Sequence, residues 1–252
     1  MGYTIAIAGK GGTGKTTIAA LLVRLLKEKG TGPILAVDAD PNSNLAEFLG
    51  IEIKQTIGSI LDEIATHPEQ VPCGMSKDRF IEYRVQTAIY EAEGFDVLTM
   101  GRPEGPGCYC YVNNVLRNIM GKLIKDYAYI VIDNEAGLEH LSRRTTRQTD
   151  ALVVVSDATR AGLKAAQRIN DLVKELKIKT RKNLLLVNRY HQDIEKEKIK
   201  NLGLDYLGNI PIDNQIENIS LNGNSLMDLK DDAVSVSALR KLSEDIIYGA
   251  KD

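Results

Sequence analysis

Residues 9–17 read GKGGTGKTT and lie between a short apolar run and an amphipathic stretch. They match the pattern G-x-x-x-x-G-K-[ST] with Lys15 and Thr16 in the last two places. Glycines at this spacing let backbone N–H groups turn inward around phosphates at the N-terminus of a helix. The lysine can reach the β- and γ-phosphates, and the Thr16 hydroxyl is a ligand for Mg²⁺. The sequence therefore predicts a phosphate-binding loop. Its expected nucleotide contacts are Gly9, Gly11, Gly12, Thr13, Gly14, Lys15, Thr16 and Thr17.

The chain on both sides of this loop alternates short apolar runs with helical patterns. Residues 4–8 predict a strand, residues 16–29 an amphipathic helix and residues 34–38 a second strand. Later strands are expected at residues 96–100, 129–133, 151–156, 183–188 and 206–210. Such alternation is typical of an α/β fold with a mostly parallel central sheet and helices on both faces. Residues 50–93 break the rhythm and predict helix only in part.

Composition limits the class of protein. The 252 residues are 43% hydrophobic and 26% charged, which is ordinary for a folded globular domain. We therefore expect residues 1–252 to form a single domain. A net charge of -2 argues against a nucleic-acid partner. No apolar run approaches the roughly 20 residues that span a bilayer, so we expect a cytoplasmic protein without a membrane partner.

Acidic residues follow two of the expected strands. VDADPNSN places Asp38 and Asp40 at one strand end, and VIDNEAG places Asp133 and Gly137 at another. Because ligands bind at the carboxyl edge of a parallel sheet, we expect these carboxylates beside the phosphate loop, where they require cations. The second strand end looks like a Walker B strand followed by the loop called switch II. This likeness implies that Asp133 holds a Mg²⁺-bound water and that a backbone N–H at or near Gly137 senses the γ-phosphate, since only a small residue permits close approach. Solvated loop carboxylates are the alternative for Asp38 and Asp40.

Two more strand ends supply candidates for contacts with the base. LLLVNRY places Asn188 and Arg189 after one strand, and NIPID places Pro211 and Asp213 after the next. Both ends are expected to face the nucleotide pocket. The N-K-x-D element with which many GTPases read guanine is absent, which favours ATP. A purely structural turn is the alternative for Asn188.

Two cysteines suggest a metal. Cys108 and Cys110 are two positions apart in the loop sequence EGPGCYCY. Thiolates at that spacing can share a soft metal, and a two-fold axis between subunits would complete four sulfur ligands. Ordinary reduced cysteines are the alternative. Cys73 has no partner nearby in the sequence and is expected to be an ordinary thiol.

The phosphate loop carries a second lysine, Lys10, directly after its first glycine. This KGGTGKT sequence resembles the deviant Walker A loop of the MinD/ParA/nitrogenase iron protein superfamily. The resemblance implies an ATP-dependent homodimer in which Lys10 reaches the phosphates of the partner's nucleotide. It also implies that Asp38 organises the Mg²⁺ shell and Asp40 orients the attacking water. Asn188 would bond adenine, and the segment with Pro211 would flank the ring. A solvated loop cation is the alternative for Lys10.

The sequences GRPEG before the cysteine pair and EAGLEHLSR after Asp133 narrow the resemblance. Together with the cysteines they resemble CooC-type ATPases, which are nickel-insertion accessory proteins of carbon monoxide dehydrogenase and acetyl-CoA synthase. The resemblance implies that Cys108 and Cys110 bind Ni²⁺, or Zn²⁺, at the dimer interface. It also implies that binding and hydrolysis of ATP couple dimer closure to metal handling, and that one of the two nickel enzymes is the client.

Two other functions stay open. An electron donor like the nitrogenase iron protein would take cysteines from two separate segments, one of them after switch II. No cysteine follows Asp133, which argues against this function. A positioning ATPase of the MinD/ParA kind would act on membrane or DNA. The C-terminal stretch from Val236 to Ile246 has helical spacing and mixed charges, so we expect a helix packed on the domain rather than a membrane tail.

His140 lies just after the second acidic strand end. We expect it to form a hydrogen bond with the nearby backbone.

Overall fold

The computed structural model describes residues 2–102, 115, 118–119, 121–123, 125–135, 148–192 and 194–248. Eight strands occur in these ranges: β1 (Tyr3–Gly9), β2 (Ile34–Ala39), β3 (Tyr90–Ala92), β4 (Phe95–Thr99), β5 (Tyr129–Asn134), β6 (Gln148–Ser156), β7 (Lys179–Asn188) and β8 (Asp205–Ile210). They form one sheet in the order β3-β4-β2-β5-β1-β6-β7-β8. Every neighbouring pair is parallel except β3 and β4. The predicted α/β fold with a mostly parallel sheet is confirmed.

The helices that lie wholly within the described ranges are α1 (Lys15–Lys29), α2 (Leu45–Phe48), α3 (Ile57–Thr66), α4 (Lys77–Thr87), α5 (Arg160–Glu175), α6 (Lys196–Ile199), α7 (Asn214–Asn222) and α8 (Val234–Tyr248). Single 3₁₀ turns occur at Pro68–Gln70 and Leu226–Asp228. Helices α1 and α8 pack on one face of the sheet. Helices α3, α4 and α5 pack on the other.

The central strand β1 shows why both faces are covered. Its residues Ile5 and Ile7 point into the core beneath α1, whereas Ala6 and Ala8 point into the core beneath α5. All four side chains are fully buried. A parallel strand buried on both faces is apolar at every position, which is the pattern that the sequence of β1 shows.

Three strand features differ from the prediction. Strand β6 begins at Gln148 rather than at residue 151. Strand β7 begins at Lys179 rather than at residue 183, because its first residues are charged and half-exposed while their backbone pairs with β6. The three-residue strand β3 was not predicted. It pairs with β4 at the edge of the sheet, and such a short, exposed strand carries no apolar alternation that a sequence pattern could detect.

Helix α8 packs on the domain, as predicted. Its residues Val236, Leu239 and Ile246 are fully buried. Leu242 lies against the backbone of β8, where a Cβ atom at Gly208 would come within 2.8 Å of the leucine side chain. Within the described ranges, no helix is both long enough and apolar enough to cross a membrane.

Candidate nucleotide-binding site

The predicted phosphate loop connects the central strand β1 to helix α1. Gly9 and Gly14 bound the loop with φ values of 156° and 89°, which favour glycine. A Cβ atom at Gly9 would lie 2.3 Å from the carbonyl oxygen of Val155 on the neighbouring strand β6. One at Gly14 would lie 2.4 Å from Nδ2 of Asn188. Both glycines are therefore required by backbone conformation and by close packing.

The two lysines of the loop occupy different environments. Lys15 is the first residue of α1, and only 8% of its surface is exposed to solvent, whereas Lys10 is exposed. Between them Thr13 closes the turn, since its hydroxyl donates to the carbonyl oxygen of Lys10 at 2.8 Å. Lys15 is thus directed into the protein near Asp133, where its charge partly opposes the burial that raises the pKa of that carboxyl group. Lys10 is available to a ligand or to another molecule.

Asp38 lies at the end of β2, directly opposite Asp133 in the register of β2 and β5. Its side chain is fully buried and accepts hydrogen bonds from the backbone N–H groups of Leu45 at 2.8 Å and Asp40 at 3.1 Å. Burial, followed by the nearby charge of Asp133, raises the pKa of Asp38 to about 7. Asp38 therefore ties the end of β2 to the start of α2.

Asp133 is the second buried carboxylate of this edge. Burial raises its pKa to about 6, although a hydrogen bond from the Thr16 side chain and the charge of Lys15 act in the opposite direction. Its Oδ1 atom is buried and has no hydrogen-bond partner within the described ranges. Mg²⁺ in nucleotide sites binds one or two protein oxygens together with phosphates and waters. The hydroxyl oxygen of Thr16 is a ligand of this kind, and the unpaired oxygen of Asp133 can accept a hydrogen bond from a water on the ion, so the two residues fit Mg²⁺.

Asp40 is half-buried in the turn after β2. Its Oδ1 atom accepts hydrogen bonds from both the backbone N–H and the side-chain amide of Asn42, each at 2.9 Å. Ser43 closes the turn with a φ of 56°, a left-handed conformation that is uncommon for serine. One carboxylate oxygen of Asp40 is thus fixed by the turn.

A cavity of about 490 Å³ lies beyond the loop, between α1 and α7. This volume is within the usual range for small-molecule sites. All four predicted base contacts, Asn188, Arg189, Pro211 and Asp213, line it. Sequence reasoning missed other residues of its wall: Phe48, Ile216, Glu217 and Leu221. The capping position of Asp213 indicates a helix there, and helical spacing from that cap would have pointed to Ile216 and Glu217.

Within this cavity wall, Asp213 has a structural task. Its Oδ1 atom accepts from the backbone N–H of Gln215 at 2.9 Å and so caps α7. Its Oδ2 atom accepts from the backbone N–H and the hydroxyl of Ser235, at 3.0 and 2.6 Å, at the start of α8. Burial alone would raise the pKa of Asp213, but these hydrogen bonds outweigh it and hold the pKa below its usual value.

Some predicted residues lie outside the described ranges: Cys108, Cys110, Gly137 and His140. Cys73 is described and is an exposed free thiol. Within the described part of the chain, no group of three or more His, Cys, Asp or Glu side chains is arranged to hold a metal ion.

A phosphate loop between a central strand and a helix, with buried carboxylates at the neighbouring strand ends, defines a P-loop ATPase. The chain belongs to the CobQ/CobB/MinD/ParA nucleotide binding domain family, whose pattern matches residues 4–226.

Individual relatives agree with this assignment. The chain is 42% identical to an uncharacterized ATP-binding protein of Methanocaldococcus jannaschii, over 96% of this chain and 98% of the relative. It is 29% identical to the carbon monoxide dehydrogenase accessory protein CooC of Rhodospirillum rubrum, over 89% of this chain and 89% of the relative. Among solved structures, the septum site-determining protein MinD of Pyrococcus horikoshii in complex with Mg-ADP is similar, with a TM-score of 0.73 and 25% identity, over 98% of this chain and 97% of MinD.

Proposed function

We propose that this ATPase is a metallochaperone that helps insert nickel into a client enzyme, either carbon monoxide dehydrogenase or acetyl-CoA synthase. The observation that carries the proposal is the likeness to CooC along 89% of both chains, together with the paired Cys108 and Cys110. The likeness points to maturation of a metal enzyme, and the cysteine pair supplies ligands for a soft metal ion.

In the proposed mechanism, the loop from Gly9 to Thr17 holds the phosphates of ATP, and Lys15 binds the β and γ oxygens. Thr16 would hold Mg²⁺, Asp133 would hold one of the waters bound to it, and Asp38 would support that water shell. When bound, Mg²⁺ supplies positive charge next to the phosphates. Asp40 orients the water that attacks the γ-phosphate. Asn42 holds the Oδ1 atom of Asp40 in place through two hydrogen bonds, which supports this role.

We further propose that the active species is a homodimer. Lys10 is exposed at the tip of the loop, where it can reach a second subunit's nucleotide. A cation supplied across an interface stabilises the transition state of phosphoryl transfer, as an arginine finger does. The cysteine pairs of the two subunits would then complete one metal site at the interface, with nickel as the cargo and Zn²⁺ as a competing ion.

A positioning ATPase is the second candidate. It is favoured by the likeness to MinD along nearly the whole chain, at 25% identity. Such a protein acts through lipid or DNA surfaces, so stimulation of ATP hydrolysis by vesicles or by DNA is the observation that would select it. Neither surface has a role in the metallochaperone proposal.

The decisive experiment is anaerobic Ni²⁺ binding by the wild type, by the Cys108→Ala/Cys110→Ala variant and by Cys73→Ala as the matched control. We expect about one nickel per dimer in the wild type and in the control, in accord with four thiolates from two chains. The double variant should lose the nickel while still binding ATP. Size-exclusion chromatography with and without MgATP would report dimer formation. Thiol-independent binding, or no binding, in all three proteins would contradict the metallochaperone proposal.

A further inference from the structure

The side chain of Asn188 is attached to the phosphate loop. Its Nδ2 atom donates to the carbonyl oxygen of Thr13 at 2.8 Å, and this hydrogen bond is buried. Its Oδ1 atom accepts from the backbone N–H of Arg189 at 3.0 Å. Both polar atoms of the amide therefore already have backbone partners, although the residue also lines the cavity expected to hold the base.

The neighbouring residue makes a second attachment. Arg189 has a φ of 58°, in the left-handed region that is rare for arginine. In this conformation its Nη1 atom donates to the carbonyl oxygen of Gly12 at 3.3 Å. Consecutive residues at the end of β7 thus hold consecutive carbonyl groups of the phosphate loop. Such backbone strain persists only where the surrounding structure fixes it.

The direction of these carbonyl groups matters for phosphate binding. In a planar trans peptide the C=O and the next N–H point in opposite directions. When Asn188 holds the carbonyl of Thr13, the N–H of Gly14 is turned away from β7. Backbone N–H groups of such a loop are the donors that bind phosphate oxygens. The contact depends on Gly14 lacking a Cβ atom, since that atom would lie 2.4 Å from Nδ2 of Asn188.

We propose that Asn188 is a positioning residue that holds the phosphate loop in its binding conformation, in addition to lining the cavity for the base. Its amide fixes the direction of the Thr13–Gly14 peptide before ATP arrives. This inference concerns nucleotide binding alone and does not depend on the nickel proposal. It is distinct from an adenine contact, because a base contact contributes nothing to a ligand that has no base.

The test compares ATP with tripolyphosphate, which has the phosphates and lacks the nucleoside. Affinities of both, with Mg²⁺ present, are measured for the wild type, Asn188→Ala and Asn188→Asp. In Asn188→Ala the buried carbonyl of Thr13 loses its hydrogen-bond donor. The affinity for both ligands should therefore fall by about ten-fold. In Asn188→Asp the loss of affinity should be larger, because a carboxylate oxygen then faces that carbonyl oxygen and repels it. The Michaelis constant for ATP should rise by a similar factor.

Two variants separate this effect from other causes. Asn170 is also fully buried, and its Nδ2 atom donates to the carbonyl oxygens of Leu202 and Gly203, away from the loop. Asn170→Asp should lower thermal stability without changing the affinity of the folded protein for tripolyphosphate. Ile212 lies in the cavity wall, so Ile212→Ala should lower the affinity for ATP and leave the affinity for tripolyphosphate unchanged. Loss of ATP affinity in Asn188→Ala with less than about a three-fold change for tripolyphosphate would overturn the proposal, as would no change for either ligand.

Discussion

Asp38 and Asp133 are two buried carboxylates placed side by side, an arrangement that costs free energy unless a cation neutralises them. Their pKa values, raised to about 7 and about 6, express that cost. Each is raised first by burial, and Asp38 also by its neighbour's charge. Such groups are concentrated at functional sites, where a cation offsets their charge. The position of both residues was predictable, because strand ends of a parallel sheet meet at one edge.

The substitution Asp133→Asn tests this cost. A folded-state pKa above the ordinary 3.8 means that the folded protein favours the neutral carboxyl group. The contribution of Asp133 to the stability of the wild type should therefore fall as the pH rises from about 4 through about 6, and its full penalty should be present above that range. The substituted amide carries no charge at any pH. We therefore expect the free energy of unfolding of the variant to exceed that of the wild type by on the order of 1–3 kcal/mol at pH 8 and by little at pH 4.

Urea unfolding at both pH values, without nucleotide and Mg²⁺, measures the difference. Asp232→Asn provides the control, because Asp232 is exposed. An equal stability gain at pH 4 and pH 8 would show that the charge of Asp133 is not the cause.

Other residues of the site could not be predicted from the sequence. Phe48 and Glu217 line the cavity from two helices that are far apart in the chain and meet only in the folded protein. The attachment of Asn188 to Thr13 joins residues 175 positions apart. A local motif fixes the residues of one loop, whereas these contacts depend on how β7, α2 and α7 are packed around it.

At the scale of elements, the segment between β8 and α7 is joined to the start of α8. Asp213 caps α7 and binds Ser235 of α8 through the same carboxylate. Pro211 and Ile212, just before this cap, line the candidate base cavity. The C-terminal helix therefore supports one wall of the cavity, and the sequence pattern indicated its packing but not this hydrogen bond.

We expect Ser235→Ala to weaken that support. The variant loses the hydroxyl donor at 2.6 Å and keeps the backbone N–H donor. Removing one hydrogen bond to a buried carboxylate should cost about 1–2 kcal/mol of stability, and the Michaelis constant for ATP should rise while kcat changes little. The depressed pKa of Asp213 stabilises the fold above its ordinary pKa and this contribution is lost as the pH falls. The penalty of the variant should therefore shrink in acid.

Ser243→Ala is the matched control, because Ser243 is a buried serine of the same helix whose hydroxyl donates to the helix carbonyl of Arg240. Its variant should leave the Michaelis constant unchanged. If both serine variants raise it equally, the link through Asp213 is not what supports the cavity wall. Chemical unfolding and steady-state ATP hydrolysis measure the two effects.

At the scale of the whole molecule, the proposed dimer makes a prediction that a monomer does not. If Lys10 acts on the partner's nucleotide and Asp40 on its own, each complete site needs one residue from each chain. Lys10→Ala and Asp40→Ala should each be nearly inactive alone. In a mixed dimer, however, the nucleotide bound to the Lys10→Ala chain meets an intact Asp40 and an intact Lys10 from the partner.

An equimolar mixture of the two inactive variants should therefore recover activity. With random pairing, half of the dimers are mixed and each has one complete site of two, so the mixture should reach about a quarter of wild-type activity per chain. Steady-state ATP hydrolysis at a concentration that supports dimers measures this recovery. If Lys10 instead acted on its own chain's nucleotide, every site would lack one residue and the mixture would stay as inactive as its components. Recovery would thus place Lys10 across the interface, and its absence would exclude the proposed exchange between subunits.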